Sequence, residues 1–219
     1  MNETIKILLE RRSVRGYKED LVPEEVLNEI LEAGEYAPSG MGQQGTLMVV
    51  TQNPELVAKL SKMNADVMGT ESDPFYGAPT VVVVFADSNM PTCVENGSLV
   101  MGNLMNAAHA LGVDSCWIHR AREVFASEEG KALKAEWSVP ESYVGIGHCV
   151  LGYRSGEYPK AKGRSMGGPV HSRSRSGNRQ SHHQKCPRQD ASGSKRKTEK
   201  SHRGKCRHRL WAGQELHSR

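Results

Sequence analysis

Near the middle of the chain, Val81-Val82-Val83-Val84-Phe85-Ala86 form an unbroken apolar run whose first four residues are β-branched. Such side chains are stiff in a helix and suit the pleated surface of a strand. Successive strand residues point to opposite faces, so this run has no polar face to offer water. It predicts a strand covered on both sides and central in its sheet. The rest of the chain must then supply an apolar layer above that sheet and another below it. One source is Val94 to Leu111, where Leu99, Val100, Met101, Leu104, Met105, Ala107, Ala108, Ala110 and Leu111 spread almost all round a helix. This element is expected either to be the core helix or to line a subunit interface.

The remaining segments alternate irregularly. Asn2 caps a helix to about Leu9, with Ile5, Leu8 and Leu9 on one face. Pro23 fits the first turn of a second, where Val26, Leu27, Ile30 and Leu31 recur before Gly34. Thr46 to Thr51 reads as a short strand, and Asn53-Pro54 opens a helix through about Lys62. Residues 63–78 are polar and Gly-bearing, which suggests a surface loop or a mobile helix. Strands at Asp114 to Ile118 and Tyr143 to Leu151 enclose a helix from Ser127 to Trp137. This order favours an α+β layer structure, a mixed sheet flanked by helices, over a regular βαβ repeat.

Charge divides the chain after Lys160. Residues 1–160 hold 13 Lys and Arg against 22 Asp and Glu, net −9, whereas residues 161–219 hold 16 against 3, net +13. The acidic part has enough apolar material for one core. The basic part does not, so it is expected to be disordered, with domain limits near 1–164 and 165–219. No apolar stretch approaches the 18 residues that a membrane span needs. The opening residues read as an amphipathic helix rather than a secretory signal, and Cys93, Cys116 and Cys149 lie far apart without a CxxC pair, which favours the cytoplasm.

Two segments carry candidate chemistry. Arg11, Arg12, Ser13 and Arg15 place three guanidiniums and a hydroxyl within five residues of an otherwise acidic body. Such groups suit phosphate oxygens, although taken alone the cluster is better read as a solvated turn pairing with Glu10 and Glu19. The loop Pro38-Ser39-Gly40-Met41-Gly42-Gln43 offers open backbone N–H groups, with Ser and Gln to bond a planar heterocycle. Gly40 to Gly45 spells GxGxxG but runs into the β-prone Thr46 to Thr51 instead of joining a strand to a helix, so it is not a dinucleotide fingerprint, and no P-loop is present.

Five segments in order resemble the flavin-dependent nitroreductase family: RRSVRGY at 11–17, APSGMGQQ at 37–44, GAPTVVVVFAD at 77–87, the run from Val94 to His119, and GIGHCVLGY at 145–153. The resemblance implies an intertwined homodimer with FMN at its interface. Arg11, Arg12, Ser13 and Arg15 would hold the phosphate end. Pro38, Ser39, Gly40, Met41 and Gln43 would reach the flavin of the partner subunit, where many relatives carry Asn in place of Gly42. His119 and Arg120, after Trp117-Ile118, match the segment whose backbone faces the ring system, and Lys162 with Arg164 fits a basic pair at the phosphate. No catalytic side chain is implied. NADH or NADPH would reduce the flavin, and a nitroaromatic, quinone or similar small acceptor would reoxidise it in ping-pong order.

From Ser165 onward nothing resembles the family's ending, and the Arg/Ser/His-rich sequence looks like translation in another reading frame. Two other functions follow from that tail: a nitroreductase-like chain with impaired flavin binding, or nonspecific nucleic-acid contacts through its positive charge. A single aromatic, Trp211, leaves it without a base-stacking platform. His182, His183, Cys186, Cys206 and His208 match no compact zinc spacing, so no metal site is expected.

Overall fold

The computed structural model describes residues 1–163. Arg164, the basic tail and its scattered His and Cys residues lie outside the described residues. Helices α1 (Glu3–Glu10) and α2 (Glu24–Glu35) precede strand β1 (Thr46–Thr51), followed by α3 (Pro54–Met68), β2 (Thr80–Asp87), α4 (Cys93–Ala110), β3 (Asp114–Ile118), α5 (Ala121–Ala126), α6 (Glu128–Glu136) and β4 (Tyr143–Gly152). The strands lie in the order β1-β2-β4-β3, and all three ladders are antiparallel. The sheet itself is antiparallel, with a single isolated parallel bridge from Ser13 to Ser115 along the edge of β3.

As its composition requires, β2 is interior and buried on both faces. Val82, Val84 and Ala86 meet Val100, Met101, Leu104 and Ala108 of α4, with Leu27 and Ile30 of α2 behind them. Val81, Val83 and Phe85 point the other way, toward Leu60 and Met63 of α3, Val124 and Phe125 of α5 and Leu133 of α6. Full burial of a Val or Phe side chain contributes about 1.5–3 kcal/mol relative to exposure, so this one strand anchors both layers. Cys93, Cys116 and Cys149 are buried free thiols.

Helix α4 is a core helix on one side only. Cys93, Gly97, Val100, Met101, Leu104 and Ala108 are buried, whereas Val94 and Leu99 stand exposed. Beside it α1 buries none of its residues and leaves Ile5, Leu8 and Leu9 about half exposed. Among the described residues, an apolar surface therefore stays partly exposed along these two helices.

Of the surface loop or mobile helix expected over residues 63–78, residues 69–78 are a turn-rich and largely exposed loop, whereas 63–68 belong to a packed helix. Helix α3 continues to Met68 and ends at Gly69 in the left-handed conformation, with Met63, Asn64 and Ala65 buried. Asn64 interrupts the apolar stripe in the sequence but is drawn inward by partners far away in the chain. The following turn also folds inward: Asp73 accepts from the N–H groups of Phe75 and Gly77, and Phe75 is fully buried. The short helix α5 was not expected. Its Ala121, Val124 and Phe125 are too few to show a helical period. Pro23 sits one residue before α2, and Gly34 lies inside that helix instead of ending it. A Cβ on Gly34 would stand 2.9 Å from Leu104 Cδ2 and 3.0 Å from Met48 Sδ, so the glycine lets α2 approach α4 closely. No helix among the described residues is long and apolar enough to cross a membrane.

Candidate functional site

The arginine cluster begins where α1 stops. Arg11 is the C-cap in extended geometry, and its N–H still donates to Ile7 O at 3.0 Å. The last carbonyls of a helix lack intrahelical partners. Arg12 supplies some of them, since its Nη1 donates to Leu9 O and Arg11 O, both at 2.8 Å. Its guanidinium is thus engaged with the backbone. The chain then runs beside β3, where the Val14 N–H donates to Ser115 O at 3.1 Å. Ser13, Val14, Arg15 and Gly16 line a cleft of about 250 Å³ facing Arg154 to Pro159.

Arg11, Ser13 and Arg15 converge near Cys116. Burial pushes that thiol up, while Arg15, the Ser13 hydroxyl and Arg11 oppose the shift. Arg11 Nη1 is itself buried and has no hydrogen-bond partner among the described residues, as has the nearby Ser115 Oγ. A buried guanidinium nitrogen without a partner is costly, whereas an anion brought to it would make charge-assisted bonds. The residues present therefore suit an anionic group with several acceptor oxygens.

The Gly-rich loop lies elsewhere. It forms a single 3-10 turn, Gly40–Gly42, held by Gly40 N–H to Asn96 Oδ1 at 2.9 Å and by Gln44 N–H to Ser39 Oγ at 3.0 Å. Pro38, Met41 and Gln43 are exposed, Met41 to 82%. Gly42 has φ +66, a region that Asn also tolerates. A Cβ on Gly40 would collide with Thr92. The loop leads into Thr46, which pairs with Ala86, which in turn pairs with Val144. Ser13 instead bridges Ser115, which pairs with Leu151 opposite Thr80. The two segments thus occupy opposite edges and opposite ends of one sheet, separated by roughly 19 Å across the strands and 20 Å along them.

His119 and Arg120 follow β3 directly. The His119 side chain is exposed, and Arg120 adopts a left-handed conformation at φ +73. Asn64 holds both: its Nδ2 donates to His119 O at 2.7 Å, and its Oδ1 accepts from Arg120 Nε at 3.1 Å. Behind it, fully buried His148 is pushed down to about 3, chiefly by desolvation, with Arg120 adding to the shift against a backbone hydrogen bond. It is therefore neutral. Lys162 is exposed. Neither Asn64, Asn96 nor Tyr158, whose hydroxyl meets the Arg12 N–H, stood out in the sequence, for each is an isolated polar residue with partners more than fifty positions away.

A family model described as the nitroreductase family matches residues 8–153. The chain belongs to the nitroreductase family. A protein of Archaeoglobus fulgidus described as a candidate NADH dehydrogenase/NAD(P)H nitroreductase is 29% identical, over 72% of this chain and 88% of that one. Among solved structures, a Bacteroides fragilis nitroreductase with bound FMN superposes with a TM-score of 0.73 at 28% identity, covering 79% of this chain and 100% of the other. A Desulfitobacterium hafniense nitroreductase with bound FMN gives 0.68 at 27% identity, over 75% and 95%. The match places Arg11 to Tyr17, the Gly-rich loop and the end of β3 of this nitroreductase inside the family region.

Proposed function

We propose that this nitroreductase is an FMN-dependent NAD(P)H oxidoreductase whose domain spans residues 1–164. The observation that carries this reading is the buried, unpartnered Nη1 of Arg11 beside Ser13, a donor set that suits the phosphate of a flavin mononucleotide. Bound FMN supplies the redox chemistry, accepting hydride from NADH or NADPH and passing electrons, in ping-pong order, to a nitroaromatic, quinone or similar acceptor.

The chain's residues bind and orient. Arg11, Ser13 and Arg15 take the phosphate end, joined by the basic pair Lys162 and Arg164, while Arg12 holds the end of α1 through its backbone contacts. Pro38, Ser39, Gly40, Met41 and Gln43 serve the flavin of a second subunit. The distance between the loop and the arginines within one chain supports this assignment, as does the partly exposed apolar surface of α1 and α4. His119 and Arg120 present backbone toward the ring system, their conformation held by Asn64.

The experiment is to purify the full chain, record its visible spectrum, identify the released cofactor by mass spectrometry and measure its mass in solution. FMN in a homodimer that consumes NADH or NADPH with a nitroaromatic acceptor is expected. FAD, a flavin-loaded monomer or a colourless protein that FMN does not reconstitute overturns the reading.

A further inference from the structure

We propose that Tyr158 is a positioning residue for Arg11, tying the segment after β4 to the turn that presents the guanidinium. This inference rests on the reading that Arg11 receives the FMN phosphate. The Tyr158 hydroxyl accepts from the Arg12 N–H at 2.8 Å and donates to Glu10 O at 3.1 Å. One oxygen thus grips the main chain on both sides of Arg11. The need arises because α1 ends without a glycine cap: Arg11 leaves the helix at φ −52, ψ 132, and the carbonyl of Glu10 must find a partner outside it.

The phenol is itself held from two sides. Its ring stacks on His109 at 5.8 Å with the planes 9° apart, and the Arg154 guanidinium lies 5.2 Å from its centre. Arg154 is fixed in turn by the buried Asp114, to which both its N–H and its Nη1 donate at 3.1 Å. Backbone bonds from Lys18 to Tyr153 and from Ser155 to Gly16 set the register of this strap against the arginine turn. Tyr158 is the contact that carries this register forward to residues 10 and 12. A side chain so placed fixes geometry at Arg11 without touching the ligand.

The test compares FMN with riboflavin, which lacks the phosphate, in fluorescence titrations of the full-length apoprotein. Tyr158→Phe removes the hydroxyl's contacts with the Arg12 N–H, Glu10 O and, at 3.4 Å, His109 Nδ1, and keeps the ring stacking. It should weaken FMN binding about three- to tenfold and leave riboflavin binding unchanged. Arg11→Ala should also weaken FMN selectively, and adding Tyr158→Phe to it should have no further effect, because coupled residues are not additive. Equal weakening of both flavins by Tyr158→Phe, or an undiminished effect in the Arg11→Ala background, makes the tyrosine merely structural and overturns the proposal. An FMN-selective loss in Arg11→Ala with none in Tyr158→Phe overturns it too, while sparing the phosphate reading. If Arg11→Ala binds FMN normally, or the unmodified chain binds neither flavin, the reading of the site falls and the positioning role falls with it.

Discussion

At Arg11 the opposition of local to global charge singled the residue out before any fold was known, but a solvated turn pairing with Glu10 and Glu19 explained the charges too, and the phosphate role came from the family resemblance. The sequence could not rank those arginines. Arg12 looked equivalent to Arg11, yet its guanidinium bonds two carbonyls of its own helix end while Arg11 Nη1 is buried without a hydrogen-bond partner among the described residues. Replacing Arg11 and Ser13 together with Ala is therefore expected to weaken FMN binding by at least tenfold, each charge-assisted bond contributing about 1.5–3 kcal/mol. Flavin titration of the folded variant checks this, and unchanged affinity would count against the assignment. His148 gives a second prediction. Its folded value is held near 3 by burial, whereas an unfolded chain titrates near the ordinary 6.5. Between those values only the unfolded chain takes up the proton. The stabilisation is thus complete above the unfolded value and is lost as pH falls toward 3, by on the order of 4 kcal/mol. Urea midpoints at pH 7, 5 and 4 should decline accordingly, and a His148→Gln variant should show a shallower decline.

The elements read most directly were those whose period is short and complete. Thr46 to Thr51 and Asp114 to Ile118 have the predicted bounds, and β2 is interior because an all-apolar strand can be satisfied nowhere else. Legibility failed where a helix is held by polar contacts. The last turns of α3 depend on Asn64, whose partners His119 and Arg120 lie 55 and 56 residues away, so the local pattern looked like surface. Gly34 misled for a related reason. It reads as a helix stop but serves as a contact point between α2 and α4. An added methyl there meets Met48 Sδ at 3.0 Å and Cδ2 and Cγ of the buried Leu104 at 2.9 and 3.3 Å. For Gly34→Ala that crowding opposes a helix-propensity gain of about 1 kcal/mol, so the net change is expected to be small. Gly34→Val adds bulk without the gain and should cost about 1–3 kcal/mol. Urea denaturation of the two variants distinguishes a packing role from a helix stop.

Across the whole molecule, the apolar stripe of α1 was visible in the sequence, but what it faces was not, because a residue pattern states that a surface must be covered without saying by what. Ile5, Leu8 and Leu9 are only half covered within the described chain, and Val94 and Leu99 of the neighbouring α4 are likewise exposed. Leu8→Glu with Leu99→Glu should accordingly give a folded monomer by light scattering, and that monomer should lose its flavin. A monomer that keeps its flavin would place the whole site in one chain. The distance between the arginine turn and the Gly-rich loop has a genetic consequence as well. If the site is shared as proposed, each binding site of a twofold-symmetric pair draws its phosphate end from one chain and its loop from the other. Coexpressing an Arg11→Ala chain with a Gly40→Val chain, each inactive by itself, should therefore produce mixed pairs in which one site inherits both defects and the other inherits neither. Such pairs regain half of the wild-type flavin content, and the two lesions complement each other although they lie in the same gene product.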